Sequence, residues 1–216
     1  MSTSRRLTSQ GQERKQQLLD GAAALFAERG YAETRVIDIV TEVGVAKGLF
    51  YWYFENKEAL FRELVVNIRH RLRRHQARAI DAGAEPLVQI RQGTEASVTF
   101  MATHAHFFAL LEVENLDRQF TDVLRKGTEV HAADVARLIG AGQRNGTVRE
   151  DDAQLLADGV VGSVGYFSHF HRTGRLPTPV GELARFVGRF VVRSLAADDE
   201  IAGRVERSGA AASPAS

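Results

Sequence analysis

Apolar residues recur along this chain at three- and four-residue spacing from one end to the other. No stretch alternates apolar and polar residues for long enough to make a strand, so the pattern predicts an all-α fold. Between Glu13 and Arg29, Leu18, Ala22, Leu25 and Phe26 form one apolar stripe, and Gly30 stands where a left-handed residue would end the helix. Thr34 then offers a capping hydroxyl and Asp38 a negative charge for a second, short helix, whose stripe is Val36, Ile39, Val40 and Val43. Gly44 ends it. A third short helix is expected from Ala46 to Tyr53. Asn56 and Lys57 open a long fourth one, with Leu60, Phe61, Leu64, Val65 and Ile68 facing inward.

The clearest break is Asp81-Ala-Gly-Ala-Glu-Pro86, with Pro86 suited to a first helical position. Helices are expected over Leu87–Thr103, Phe107–Glu112, Asp117–Gly142, from a cap at Asp151 or Asp152 to Arg172, and over Val180–Ala196. Asn145-Gly146, a hairpin signal between strands, reads here as a helix end. The small, polar stretch Ser208–Ser216 is expected to be disordered. These breaks divide the chain into a flexible arm (1–12), a small helical domain (13–58), a larger one (59–200) and a flexible tail (201–216).

Composition excludes several classes. With no cysteine there can be no disulfide, thiolate–zinc site or cysteine nucleophile. No run approaches the ~18 apolar residues that read as a membrane span, and the first twelve residues carry no secretory apolar core. A cytoplasmic setting is the simplest reading. Residues 1–80 hold 14 Lys and Arg against 9 Asp and Glu, whereas residues 81–216 hold 14 against 18. A basic front joined to an acidic remainder suggests that the front meets a polyanion, although the run Arg69, Arg71, Arg73, Arg74 and Arg78 also suits a solvated helix face.

Thr34 to Phe54 is the informative stretch. Two short helices joined through a glycine turn form a helix-turn-helix, whose second helix enters the DNA major groove. That second helix carries five consecutive aromatics, Phe50 to Phe54, of the 17 in the chain. Successive residues lie ~100° apart, so all five cannot face a core. Phe50 and Phe54 can share the inner face, leaving Tyr51, Trp52 and Tyr53 partly exposed. Their polar tips, beside Lys47 and Lys57, suit phosphates and base edges.

Gly30-Tyr31, Thr34, Asp38-Ile39, Gly44-Val45, Lys47-Gly48, Phe50-Tyr51-Trp52-Tyr53-Phe54 and Lys57-Glu58-x-Leu60 together resemble the DNA-binding domain of the tetracycline-repressor (TetR) family over about residues 13–61. The resemblance implies a homodimer with three N-terminal helices for DNA and six more for a ligand and for dimerisation. It implies that Lys47 and Gly48 face bases, that Tyr51 touches a base or the adjacent backbone, and that Trp52, Tyr53 and Lys57 hold phosphates. Arg35, Val36 and Ile37 fall where family members also approach DNA. Three residues depart from the family pattern. Ala46 replaces a frequent Ser or Thr, removing a cap worth ~1 kcal/mol. Leu49 replaces a small hydroxyl residue and offers a thymine-methyl contact. Arg35 adds a cation where Thr or Ser is frequent.

In the remaining two-thirds, Gly159, Gly162 and Gly165 interrupt one helix at ~1 kcal/mol each, a cost that tight packing of helices would offset. The last helix carries the wide stripe Leu183, Phe186, Val187, Phe190, Val191 and Leu195. The family resemblance places both helices in a dimer interface, with Leu155, Gly159, Gly162, Tyr166, Leu183, Phe186, Val187 and Phe190 as its candidates; a role in the monomer core alone is the competing reading. Aromatic and His residues cluster at Phe100, Met101, His104, Phe107, Phe108, Leu111, Phe120, Tyr166, His169 and Phe170, and suggest an apolar pocket for a small hydrophobic effector. No cofactor is expected. His104/His106 and His169/His171 are i, i+2 pairs that diverge on a helix, so no metal site is expected. No nucleophile elbow, P-loop or dinucleotide fingerprint is present. The expected function is therefore a DNA-binding transcriptional regulator, a repressor released from a palindromic operator by a small hydrophobic effector. The competing reading is an all-α carrier or enzyme whose basic front is incidental.

Overall fold

The computed structural model describes residues 8–110 and 121–210, and among them the regular elements are ten α-helices. They belong to two compact units, one drawn from residues 1–68 and 106–124 and the other from residues 69–105 and 125–216. The division falls inside the fourth helix, later than the boundary expected after residue 58.

In the first unit α1 spans Ser9–Arg29 and begins before the expected Glu13, because the Thr8 hydroxyl accepts from the Gly11 N–H at 3.2 Å and caps it. Residues 9–12 are thus helical rather than a flexible arm; residues 1–7 lie outside the described residues. Gly30 has the positive φ expected (86°), but its ψ of 159° is extended rather than left-handed helical, a combination essentially restricted to glycine. The expected cap at Thr34 is corrected. Thr34 is fully buried and donates to the Gly30 carbonyl at 2.8 Å, so it ties the loop to the end of α1. Arg35 precedes α2 (Val36–Val43), and the Asp38 carboxylate accepts from the Arg35 N–H at 2.8 Å. Gly44 is left-handed (φ 69°, ψ 37°), while the Val45 N–H reaches the Val40 carbonyl and the Gly44 N–H reaches that of Thr41. This is a Schellman closure that a side chain at Gly44 would strain. It turns the chain sharply into α3 (Lys47–Tyr53), followed by α4 (Lys57–Ala79), which Asn56 caps at the Ala59 N–H. Leu18, Leu19, Phe26, Ile39, Phe50 and Phe61 are buried at the centre of this unit. The short α6 (Ala105–Leu110) follows α5, and the expected continuation to Glu112 lies outside the described residues.

The second unit packs α5 (Pro86–Thr103), α7 (Thr121–Arg144), α8 (Ala153–Arg172) and α9 (Val180–Leu195) around Leu87, Ile90, Ile139, Val164, Val187 and Leu195. Asp152 caps α8 by accepting from the Leu155 N–H, and Gly146 turns the chain after α7 with a φ of 75°. The structure differs from the expected flexible tail beyond residue 200. Asp199–Ala210 is a further helix, α10, started by the Asp198 carboxylate on the Ile201 N–H and held by buried Ala202 and Val205. Its Glu206 forms a forked pair with Arg193 of α9, at 2.7 and 3.1 Å. The acidic start Asp198-Asp199-Glu200 and the spacing of Ala202 and Val205 carried that signal in the sequence. The expected disorder at 211–216 lies outside the described residues.

Candidate DNA-binding surface and effector cavity

α3 divides its aromatics by helical phase. Phe50 and Phe54 are buried with ring centroids 5.6 Å apart, whereas Tyr51 and Trp52 remain 50% and 52% exposed. Tyr53 is half-buried, with its ring edge-on to Trp52 at 4.5 Å. The two phenylalanines therefore hold the helix down while the polar-tipped rings look outward. Lys47 and Gly48 are exposed at the start of the helix, and the Lys47 ammonium stands 5.9 Å from the Tyr51 ring centre. Nothing lies within 4 Å of the position a Gly48 side chain would take, so the backbone there is open to a ligand. Leu49 is half-buried in its first turn. Ala46 leaves that turn without a side-chain cap, as the sequence implied.

At the start of α2, Arg35 and Ile37 are exposed and Val36 is half-buried. The Arg35 guanidinium donates to Asp38 at 3.2 and 3.3 Å, and these hydrogen bonds hold the Asp38 carboxyl below the usual carboxylate range. The phosphate role expected of Lys57 is corrected. Its ammonium donates to the carbonyls of Tyr31 and Thr34 at 2.7 Å each and of Ala32 at 3.4 Å, and lies 4.2 Å from the Tyr31 ring centre. An ammonium has three donors, and all three are taken. Lys57 is a clasp on the α1–α2 loop, and its partial burial lowers its pKa. Tyr31 in turn packs against Phe26 and Phe61, at 5.2 and 5.0 Å between ring centres.

Residues 18–64, which contain this whole arrangement, match the family model for bacterial regulatory proteins of the tetR family. Residues 18–64 form a TetR-family DNA-binding domain. The chain is a DNA-binding transcriptional regulator and not an enzyme. Among curated relatives, it is 27% identical over 165 residues to the "Probable acrEF/envCD operon repressor" of Escherichia coli K12, covering 69% of this chain and 73% of that protein. Among solved structures, the fatty acid degradation regulator FadR from Bacillus halodurans shares the fold with a TM-score of 0.76 at 17% identity, over 87% of this chain and 97% of that one. A transcriptional regulator from Saccharomonospora viridis, solved in complex with choline, shares it with a TM-score of 0.73 at 19% identity, over 86% and 98%.

The second unit contains a cavity of about 360 Å³, lined by residues of α4, α5, α7 and α8. Gln76, Thr94 and Ser97 supply its inner polar wall, and His131 and the paired Arg73 and Asp134 also line it. Burial holds the His131 imidazole below its ordinary pKa. Of the ten residues expected to form a pocket, Leu111 and Phe120 lie outside the described residues, and none of the other eight lines this cavity. Phe107 and Phe108 belong to the first unit. Phe100 is buried and stacks on His104 at 3.9 Å between ring centres, and the Arg71 guanidinium meets the His104 ring at 2.9 Å. Burial lowers the His104 pKa. Met101 is half-buried beside the core, and His169 and Phe170 are half-buried near the end of α8, where Arg175 covers the Phe170 ring. The cavity was not readable as such, because its polar wall is built from Gln, Thr and Ser, residue types common on any helix.

The candidate dimer residues divide in two. Leu155, Gly159, Gly162 and Tyr166 lie along α8, with Leu155 68% and Tyr166 63% exposed. Phe186 and Phe190 of α9 are nearly half exposed, and Phe167 of α8 meets both rings edge-on. Leu183 and Val187 are corrected: both are buried in the unit's own core. Within one chain no other helix packs closely on Gly159, Gly162 or Gly165, and a side chain at any of them would meet open space. Among the described residues no group of three or more His, Asp or Glu could hold a metal ion, and no helix is long and apolar enough to cross a membrane.

Proposed function

We propose that this regulator is a cytoplasmic homodimeric repressor that binds a palindromic operator through α3 and leaves it when a small molecule occupies the cavity of the second unit. The observation that carries the DNA reading is the outward presentation of Lys47, Tyr51 and Trp52 on a helix anchored from behind by Phe50 and Phe54. Lys47 and Gly48 read base edges, Tyr51 touches a base or the neighbouring backbone, and Trp52 and Tyr53 donate to phosphates. Arg35 joins them, because an exposed pair with Asp38 is worth little and opens readily to a phosphate. Val36 and Leu49 supply apolar contacts at the groove edge.

The apolar face of α8 and α9 supports the dimer. Four large side chains, Leu155, Tyr166, Phe186 and Phe190, stand exposed beside a strip of glycines that would let a second copy approach closely. Two such chains would present recognition helices one helical turn of DNA apart, ~34–36 Å or a multiple. The relative described as an operon repressor supports repression, and the choline complex of the Saccharomonospora protein supports a small-molecule site in this fold. By linkage, operator DNA and effector must weaken each other's binding by the same factor. The test is a fluorescence anisotropy titration with DNA from upstream of the protein's own gene and with a scrambled duplex, alongside light scattering. Tight binding to the first only, by a species of twice the chain mass, is expected. Equal binding to both duplexes refutes the operator reading, and a monomeric mass refutes the dimer.

A further inference from the structure

The wall of the cavity selects the chemical class of ligand it admits, an inference that rests on the cavity being the effector site. Gln76 of α4 is 8% exposed, and its amide Nε2 donates to the Ser97 hydroxyl at 2.8 Å. Ser97 donates onward to the Gly93 carbonyl at 2.6 Å. A carbonyl can only accept, so Ser97 must spend its proton there and must accept from Gln76; this fixes the amide's orientation. The Gln76 amide oxygen is then left as an acceptor with no hydrogen-bond partner among the described residues.

Thr94 adds a second unpaired group. It is 4% exposed and lines the same cavity. On α5, Ser97, Thr99 and Thr103 each donate to the carbonyl four residues back, at 2.6, 2.9 and 3.2 Å. Thr94 makes no such bond, and its hydroxyl has no partner among the described residues. Neither atom is sealed from the cavity, since the fully enclosed unpartnered polar atoms among the described residues are Arg91 Nε and Ser168 Oγ, so both are open to a hydrogen bond from a ligand. Around these two groups the wall is aliphatic, with Ile80, Ile90, Val135, Leu138, Val160 and Val164.

Charged ligands fit this wall poorly. A carboxylate would meet the Gln76 amide oxygen, and the donors it would find, the Thr94 hydroxyl and the His131 imidazole, offer no full positive charge, since burial disfavours the charged form of His131. Arg73, half exposed beside Asp134, and Arg137 both reach solvent, where an ion pair with a ligand gains little. A quaternary ammonium would find no Phe, Tyr or Trp ring on the wall, and Asp134, half exposed beside the Arg73 cation, would attract it weakly.

We propose that the effector is an uncharged amphipathic molecule whose N–H or O–H donor, of amide or alcohol type, binds between the Gln76 amide oxygen and the Thr94 hydroxyl, with an aliphatic body along α5, α7 and α8. Four probes with the same eight-carbon chain test it: octanamide, 1-octanol, octanoate and octyltrimethylammonium. Each is titrated calorimetrically into the full chain below its aggregation limit. Octanamide or octanol should bind at least tenfold more tightly than either charged probe. Thr94→Val should lose about tenfold in octanamide affinity, whereas Thr94→Ser, which keeps the hydroxyl, should retain it. Binding of a charged probe as tightly as the neutral ones, no binding of either neutral probe, or an unaltered octanamide affinity in Thr94→Val would overturn the assignment. The same probes added to the complex with upstream DNA separate the two readings. Release by octanoate alone overturns the ligand class and spares the effector mechanism. Tight octanamide binding with no release of DNA by any probe does the reverse.

Discussion

Replacing Lys57 by Met tests whether this ammonium holds the protein together or holds DNA. The substitution keeps most of the stem against Tyr31 and removes the three donors. Two of the lost hydrogen bonds, to Tyr31 and Thr34, are short at 2.7 Å; the third, to Ala32, is long at 3.4 Å. Hydrogen bonds to a charged group contribute ~1.5–3 kcal/mol each, and the ring contact adds ~0.5–1 kcal/mol. Lys57 is only partly buried, so water would satisfy some of the released carbonyls, and a net loss of about 2–3 kcal/mol is expected. The assay is urea unfolding followed by Trp52 fluorescence, since the chain's single Trp lies in the first unit. With m near 1–3 kcal/mol/M, the midpoint should fall by roughly 1–2 M. Under conditions where the variant is fully folded, the slope of log binding constant against log salt should match the wild type, because no phosphate contact is lost. A Lys57 that touched a phosphate would instead lower that slope by about 0.9 per chain with little change in stability. That second outcome would refute the clasp.

Three further results are expected. Ala46→Ser should supply the missing cap on α3 and raise stability by ~1 kcal/mol, seen as a higher urea midpoint at unchanged m; an unmoved midpoint would count against it. Phe190→Asp places a charge on the exposed α8–α9 face and should reduce the light-scattering mass from two chains to one, whereas a persistent dimer would place the interface elsewhere. Burial holds His104 and His131 below their ordinary pKa, so the unfolded chain takes up protons first as the pH falls. Their contribution to stability is complete above about pH 6.5 and is lost progressively below it, down to the folded-state values. His131→Gln should flatten part of that decline between pH 7 and 5, and an unchanged profile would exclude His131 as a source.

The recognition helix was legible from the sequence because its logic is local. Five adjacent aromatics on a 3.6-residue period must divide into buried and exposed sets, and Phe50 and Phe54 against Tyr51 and Trp52 is the division observed. The turn at Gly44 and the uncapped start at Ala46 depend on a few neighbouring residues and were equally readable. Tertiary structure decided the rest. Thr34 is polar and precedes a helix, which reads as a cap until Leu25 and Gly30 are brought over it. Lys57 reads as a surface cation until the loop carbonyls 23 and 26 residues away close on its ammonium. The stripe on α9 is wider than one contact. Periodicity showed that Leu183, Phe186, Val187 and Phe190 share a broad face, but only the placement of α5 and α8 determined which two entered the core. The cavity obeyed the same rule: Gln76, Thr94 and Ser97 lie on two helices, and no spacing along one chain segment records that they meet. A sequence specifies which side of each helix is apolar and where it stops; which atoms face one another is decided when the helices pack, since that pairing minimises unpaired polar groups over the assembled unit.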